Sequence, residues 1–144
     1  MKQTILSLVV FASMLVGTTP SAQAGGCTDA TLKGGYGFFA SVNILPAGTP
    51  RSVLGVLTFD GKGTFTATLT FNTEGVISHP TDTGPYKVNA DCTGQLITSG
   101  GTGTVDIVIV DGGKEFYQLR TNPPTILFRF NSAKKQIPDD NSAL

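Results

Sequence analysis

Residues 84–96 read GPYKVNADCTGQL, a stretch that predicts a strand, a tight turn and the start of a second strand. Its first half alternates polar and apolar residues, with Tyr86 and Val88 on one face, which is typical of a strand. Asp91 and Gly94 then indicate a tight turn into another strand. The turn contains Cys92, one of only two cysteines, and the other is Cys27. A bond between the two would tie the beginning of the domain to the middle of a β-sheet.

The N-terminus has the pattern of a secretory signal over residues 1–24. Lys2 supplies a positive charge, residues 5–17 form an apolar run, and Ala22-Gln23-Ala24 is a small-residue cleavage site. The run is too short for a membrane span, which needs roughly 20 apolar residues. We therefore predict a secreted or periplasmic protein. A lipid anchor at Cys27 is the alternative, although the residues before it lack the leucine usual at such sites.

Two cysteines in an exported chain favour one structural disulfide, Cys27–Cys92. The bond would close a loop of 65 residues, the difference between the two positions. Loop-closure entropy gives such a bond about 4 kcal/mol of stabilisation.

Short strands separated by turn residues account for the remainder of the domain. The clearest strand covers residues 64–71, where Phe and aliphatic residues alternate with threonine. Glycine-containing turns at residues 60–63 and 111–114 are strong hairpin signals. The predicted strands are residues 32–45, 53–59, 64–71, an interrupted fourth at 76–79 and 84–89, then 95–99, 104–110, 115–121 and 125–131.

About eight strands joined by short turns predict an all-β fold, an eight-stranded antiparallel up-and-down β-barrel over residues 25–132. A polar tail, residues 133–144, would follow it. A β-sandwich is the alternative, but the Cys…Trp…Cys pattern of immunoglobulin domains is missing because the chain has no tryptophan.

Composition argues against several function classes. The 144 residues include ten basic and ten acidic side chains, so no basic surplus predicts nucleic-acid binding. No segment after the signal is long and apolar enough to span a membrane. His79 is the only histidine, and it precedes a proline in a predicted loop. We therefore predict no catalytic residue, no metal site and no cofactor.

Four segments together resemble a family of small exported bacterial proteins. They are Cys27, residues 32–38 (LKGGYGF), residues 59–65 (FDGKGTF) and residues 84–94 (GPYKVNADCTG). This family is similar to the allene oxide cyclase barrel-like group, which is related in shape to the lipocalins of the calycin class and to dirigent proteins. The resemblance implies an eight-stranded barrel with an apolar cavity. It also implies cyclisation chemistry as one function, but the shared motifs carry none of those enzymes' catalytic residues.

Asp106 is unusual because it interrupts an otherwise apolar strand. The simplest hairpin register places Asp106 opposite Leu119, with Gln118 and Arg120 on the other face of the sheet. The sequence leaves open which of these faces lines the barrel. Asp106 is therefore either a solvent-facing residue or a polar group in a pocket.

Aromatic side chains are either the core of the barrel or the walls of a ligand cage, with tyrosine hydroxyls as polar groups. The candidate ligand-binding residues are Tyr36, Phe38, Tyr86, Asp106, Tyr117, Gln118, Arg120 and Phe128.

Three functions follow as hypotheses. The first is binding of a small apolar ligand, or a non-catalytic role in the cell envelope. The second is a cyclase or isomerase that works in an apolar barrel cavity. The third is an interaction or assembly module, including a homo-oligomer, because residues 104–110 are apolar on both faces.

Overall fold

The computed structural model describes residues 26–98, 103–123 and 126–136, and only the backbone of residues 126–130. The predicted secretory signal lies outside these residues. Within these residues, two 3-10 helices, Asp29–Thr31 and Asp111–Gly113, accompany the strands. The strands are β1 Lys33–Ile44, β2 Thr49–Asp60, β3 Thr64–Thr73, β4 Val76–Ser78, β5 Thr81–Val88, β6 Thr93–Thr98, β7 Gly103–Val110, β8 Glu115–Asn122 and β9 Ile126–Lys135.

Antiparallel pairing closes eight of these strands into a barrel. Strands that follow one another along the chain are paired, with β3 followed in the barrel by β5, and β9 returns to pair with β1. The short strand β4 pairs only with β3 and lies outside the closed barrel. The predicted up-and-down barrel is therefore confirmed against the β-sandwich. The interrupted fourth strand of the sequence prediction corresponds to β4 and β5 together.

The two ends of the barrel differ. We call one end the clasp end; it carries the turns at residues 61–63, 89–92 and 111–114. We call the other the cavity end; it carries the turns at residues 45–48 and 74–75. An up-and-down barrel sorts its connections in this way because each strand reverses the direction of the one before it.

Period-two alternation decides which side chains enter the barrel. In β3, Phe65 and Ala67 are buried, whereas Thr64, Thr66 and Thr68 are exposed. The predicted β7–β8 register is also confirmed, because Asp106 pairs with Leu119 and Ile107 pairs with Gln118. Asp106 is on the exposed face of the barrel. Gln118 and Arg120, which belong to the other face, therefore point inward.

Aromatic side chains fill the clasp end. Phe59 is at the centre, with ring centroids 5.0 Å from Tyr86, 5.5 Å from Tyr36 and 5.6 Å from Phe116. These pairs are edge-to-face, the arrangement that the aromatic quadrupole favours. Leu32 is fully buried against the same cluster. This half of the barrel is therefore a packed core.

The N-terminal segment is attached to the clasp end by the disulfide that the sequence predicted. Cys27 is bonded to Cys92, 65 positions further along. Asp29 strengthens the attachment, because its carboxylate accepts the Val88 backbone N–H at 2.7 Å and pairs with the Lys87 ammonium at 3.0 Å. The disulfide occupies the Cys27 thiol, the atom that a lipid anchor would need.

The last strand is longer than expected. β9 continues to Lys135, beyond residue 132, where the sequence placed the end of the domain. Ala133 explains the difference, because it is fully buried and packs against the core cluster. Ala133 lies between Ser132 and Lys134, so the polar composition of this segment gives no sign that one of its residues faces inward. No helix in the described segments is long and apolar enough to cross a membrane.

Candidate ligand-binding site

A partly open cavity of about 190 Å3 lies inside the cavity end of the barrel. Its floor adjoins the aromatic core at Phe65 and Leu96, and Leu57 contributes from β2. Phe38 and Phe71 line it further along the barrel. The cavity exists because an eight-stranded barrel is wide enough to hold a small ligand where side chains do not fill it.

One glycine shapes the wall of this cavity. Gly55 on β2 pairs with Phe38 on β1 and Leu69 on β3. A Cβ at Gly55 would approach the Leu69 side chain and the Thr68 carbonyl oxygen to 2.7 Å, and the Phe38 ring to 3.1 Å. The missing side chain therefore lets its two large neighbours pack together across β2.

Arg51 contributes one positive charge to the cavity. Its Nε donates to the Thr73 hydroxyl at 2.8 Å, and its guanidinium carbon is 4.8 Å from the centre of the Phe71 ring. Both contacts fix the side chain, the first by geometry and the second by cation–π attraction. Arg51 is thus an anchored cation at the cavity end.

Arg120 contributes the second positive charge, and its surroundings differ from those of Arg51. It faces inward from β8, opposite Val105 on β7. Its Nε is buried and has no hydrogen-bond partner among the described residues. Most buried polar groups in proteins are paired, so an unpaired guanidinium N–H is a feature that needs a reason.

The other polar side chains that line the cavity form hydrogen bonds with each other or with the backbone. The Gln118 amide donates to the Asn131 side-chain oxygen at 2.8 Å, and Asn131 is the one buried polar or charged residue of the described core. The Thr98 hydroxyl donates to the Gly103 carbonyl at 3.3 Å. Asp82 is the one carboxylate among the described lining residues, and its Oδ1 accepts the backbone N–H of the next residue at 2.7 Å.

Three of the predicted ligand-binding residues line the cavity: Phe38, Gln118 and Arg120. Tyr36 and Tyr86 face inward but belong to the clasp-end core, so they do not reach it. The Tyr36 hydroxyl donates to the Gly113 carbonyl at 2.5 Å. The Tyr86 hydroxyl donates to backbone carbonyls of the N-terminal segment, 2.7 Å away at Asp29 and 3.1 Å at Leu32. Burial raises the pKa of both phenols above the usual 10.0.

Two other predicted residues lie on the outer face of the barrel. Asp106 is exposed and accepts the Gln95 amide at 2.9 Å, so the solvent-facing alternative describes it correctly. Tyr117 is 48% exposed. Because side chains alternate along a strand, both lie on the face of the sheet that does not carry Gln118, so neither lines the cavity. The side chain of Phe128 lies outside the described part of the structure, and so does the prediction made for it.

The sequence prediction missed several lining residues, among them Arg51, Asp82, Thr98 and Asn131. Alternation was the signal that could have found them. Arg51 is two residues before the inward Val53, and Asp82 is four before the inward Tyr86. Both were overlooked because they lie beyond the ends of the strands that the sequence predicted.

His79 lies outside the cavity. It is exposed between β4 and β5, with its Nδ1 3.2 Å from the Thr70 hydroxyl. A shallow outer groove of about 780 Å3 includes both residues, together with the exposed Phe39 and Leu54. The described residues contain no cluster of three or more His, Cys, Asp or Glu side chains that could hold a metal ion.

Comparison with known proteins returned no match among family models, curated proteins or solved structures. The resemblance to the allene oxide cyclase barrel-like group therefore stays a prediction from the sequence motifs.

Proposed function

We propose that this protein binds a small, mainly apolar molecule in the barrel cavity, outside the cytoplasm. The observation that supports this proposal is the cavity of about 190 Å3 at one end of a barrel whose other end is packed with aromatic side chains. Sites for small molecules combine apolar walls with a few polar groups. Phe38, Phe71 and Leu69 supply such walls here, and Gln118 and Asn131 supply polar groups.

The volume limits the size of the ligand. Sites for drug-sized ligands measure roughly 300–1,000 Å3, whereas a 150 Å3 apolar cavity is large enough for benzene. At about 190 Å3, this cavity suits one ring or a short branched chain. A lipid or a polyketide would have to extend out of the barrel.

Action outside the cytoplasm is supported by two independent features. Residues 1–24 have the pattern of a secretory signal, and Cys27 and Cys92 form a disulfide. Disulfides persist in oxidising compartments and are rare in the cytosol. A secreted or periplasmic binding protein accounts for both features.

A matched pair of variants tests the binding function. Ala67→Leu places a larger side chain in the cavity, whereas Thr66→Leu adds a similar side chain on the exposed face of the same strand. Titration with toluene, followed by NMR chemical shifts, should saturate for the wild type and Thr66→Leu and fail for Ala67→Leu. Both variants should first be shown to be folded, because overpacking a core costs about 1–3 kcal/mol. Absence of saturable binding of toluene, nitrobenzene and benzoate to the wild type would refute the proposal.

The cyclase or isomerase hypothesis uses the same cavity. Positioning and exclusion of water can accelerate such reactions with few ionisable groups. Asp82 and the two arginines are the charged groups among the described residues that line it. Catalysis would require turnover of a ligand that the cavity binds, so the binding experiment comes first.

The homo-oligomer hypothesis is supported by one surface feature. Val108 and Tyr117 pair across β7 and β8 on the outer face, and they are 49% and 48% exposed. Leu119 is 52% exposed on the same face. Sedimentation of the wild type and of Val108→Thr would test it, because loss of self-association in the variant would implicate this face.

A further inference from the structure

We propose that the ligand of this cavity carries a carboxylate, and that Arg120 binds it. This inference rests on the proposed binding function and adds the chemical class of the ligand: a compact monocarboxylate with one ring or a short branched apolar chain. Arg120 Nε is the one buried side-chain nitrogen or oxygen of the described residues that has no hydrogen-bond partner.

The neighbouring strands leave space specifically for the Arg120 guanidinium. Gly103 on β7 is two residues before Val105, the partner of Arg120 on β8. A Cβ at Gly103 would contact the Arg120 Nη2 and the Thr98 hydroxyl, with the guanidinium carbon 3.1 Å away. The guanidinium therefore lies directly over the Gly103 backbone. Thr98 on β6 pairs with Gly103, so three adjacent strands together form the seat of one cation.

Arg51 provides an internal comparison. Its Nε already donates to Thr73, and its guanidinium is close to the Phe71 ring. Arg120 Nε has no such acceptor among the described residues, although it is buried in the same cavity. A buried N–H without an acceptor is unfavourable, and an incoming acceptor would remove that cost.

The charges that line the cavity favour an anion. The described lining residues include two arginines and one carboxylate, that of Asp82. Gln118 and Asn131 are hydrogen-bonded to each other and add no charge. A negatively charged ligand would therefore meet a surplus of positive charge in a mainly apolar enclosure, where electrostatic attraction is less screened than in water.

Of the anions that match a guanidinium, a carboxylate is smaller than a phosphate and therefore suits a cavity of about 190 Å3. A guanidinium presents donors in a planar fork that matches the two oxygens of a carboxylate. The apolar side chains on the opposite walls then receive the body of the ligand. Benzoate has this combination of one ring and one carboxylate, and nitrobenzene has nearly the same shape without a net charge.

The experiment compares benzoate with nitrobenzene by NMR titration of the whole mature protein. The wild type should bind benzoate at least about 10-fold more tightly than nitrobenzene. Arg120→Met should weaken benzoate binding roughly 10- to 100-fold, the range expected for a charge-assisted hydrogen bond, and change nitrobenzene binding less than 3-fold. Arg120→Lys should lose part of the preference, because it keeps the charge but not the planar fork.

Lys62→Met is the charge-matched control, because Lys62 is exposed in the turn at residues 61–63 of the clasp end. It should bind both probes as the wild type does. Equal affinity of the wild type for benzoate and nitrobenzene would overturn the carboxylate inference and leave the binding function intact. Failure of every probe, toluene included, would overturn both. The wild-type comparison holds even if Arg120→Met does not fold.

Discussion

Removal of the Cys27–Cys92 disulfide should lower the free energy of unfolding by about 4 kcal/mol. The bond closes a loop of 65 residues, and the entropy of closing such a loop in the unfolded chain gives this value at 25 °C. The native fold should survive in Cys27→Ala/Cys92→Ala, because other contacts still hold the N-terminal segment. Asp29 keeps its bond to Val88, and the Cys27 backbone N–H donates to the Ala90 carbonyl at 3.2 Å.

Urea unfolding, followed by far-UV circular dichroism, measures this change. With a slope of about 1–3 kcal/mol per molar urea, a loss of 4 kcal/mol moves the midpoint by roughly 2 M. Wild-type protein treated with a reductant should unfold at the midpoint of the double variant. Benzoate binding should be unchanged in the folded double variant, because the cavity lies at the opposite end of the barrel from the bond.

The reasoning fails if the double variant loses less than about 1 kcal/mol. Such a result would mean that residual structure restrains the unfolded chain without the bond, or that the bond strains the native state. It also fails if the double variant is unfolded in the absence of urea, since a typical domain has about 5–15 kcal/mol of stability and should tolerate this loss. The NMR spectrum of the double variant separates the two outcomes before any titration.

Three further predictions concern single positions. Gly84→Ala should cost about 3 kcal/mol or more because its Cβ would overlap the carbonyl oxygen of Ile97, whereas Gly37→Ala, with open space around it, should cost less than about 0.5 kcal/mol in the same urea assay. The hydrogen bond from the Val88 N–H, which has the largest effect, and the Lys87 ammonium lower the pKa of the Asp29 carboxyl below 3.8. The stability that this carboxylate contributes is thus complete well above pH 3.8 and is lost as the pH falls through the lower folded value. Asp29→Asn should flatten this acid limb of urea midpoints against pH, and an unchanged limb would contradict the assignment. Burial raises the pKa of Tyr36 above 10.0, so stability should fall as the pH rises past 10.0 toward the folded value; Tyr36→Phe should reduce that fall.

Local pattern was sufficient to predict the barrel and the β7–β8 register. Alternation in β3 and the turn at residues 111–114 depend only on neighbours in sequence, and both match the structure. The inner and outer faces of β7 and β8 could not be assigned, because both carry apolar side chains. Val105 faces inward and Val108 outward, yet they are the same residue type. Closure of the barrel decides between them, and closure involves all eight strands.

The properties of Arg120 come from contacts between distant parts of the chain. Its inward direction follows from alternation with Gln118 on β8, which the sequence contains. The position of its guanidinium, whose buried Nε has no partner in the described part of the chain, depends also on Gly103 in β7 and Thr98 in β6, which lie 17 and 22 positions earlier. A larger residue at Gly103 would displace the guanidinium from its seat. Gly103→Ala should therefore weaken benzoate binding while leaving the charge of the cavity unchanged. This variant separates the placement of Arg120 from its charge, because a role limited to long-range attraction of anions would not respond to it.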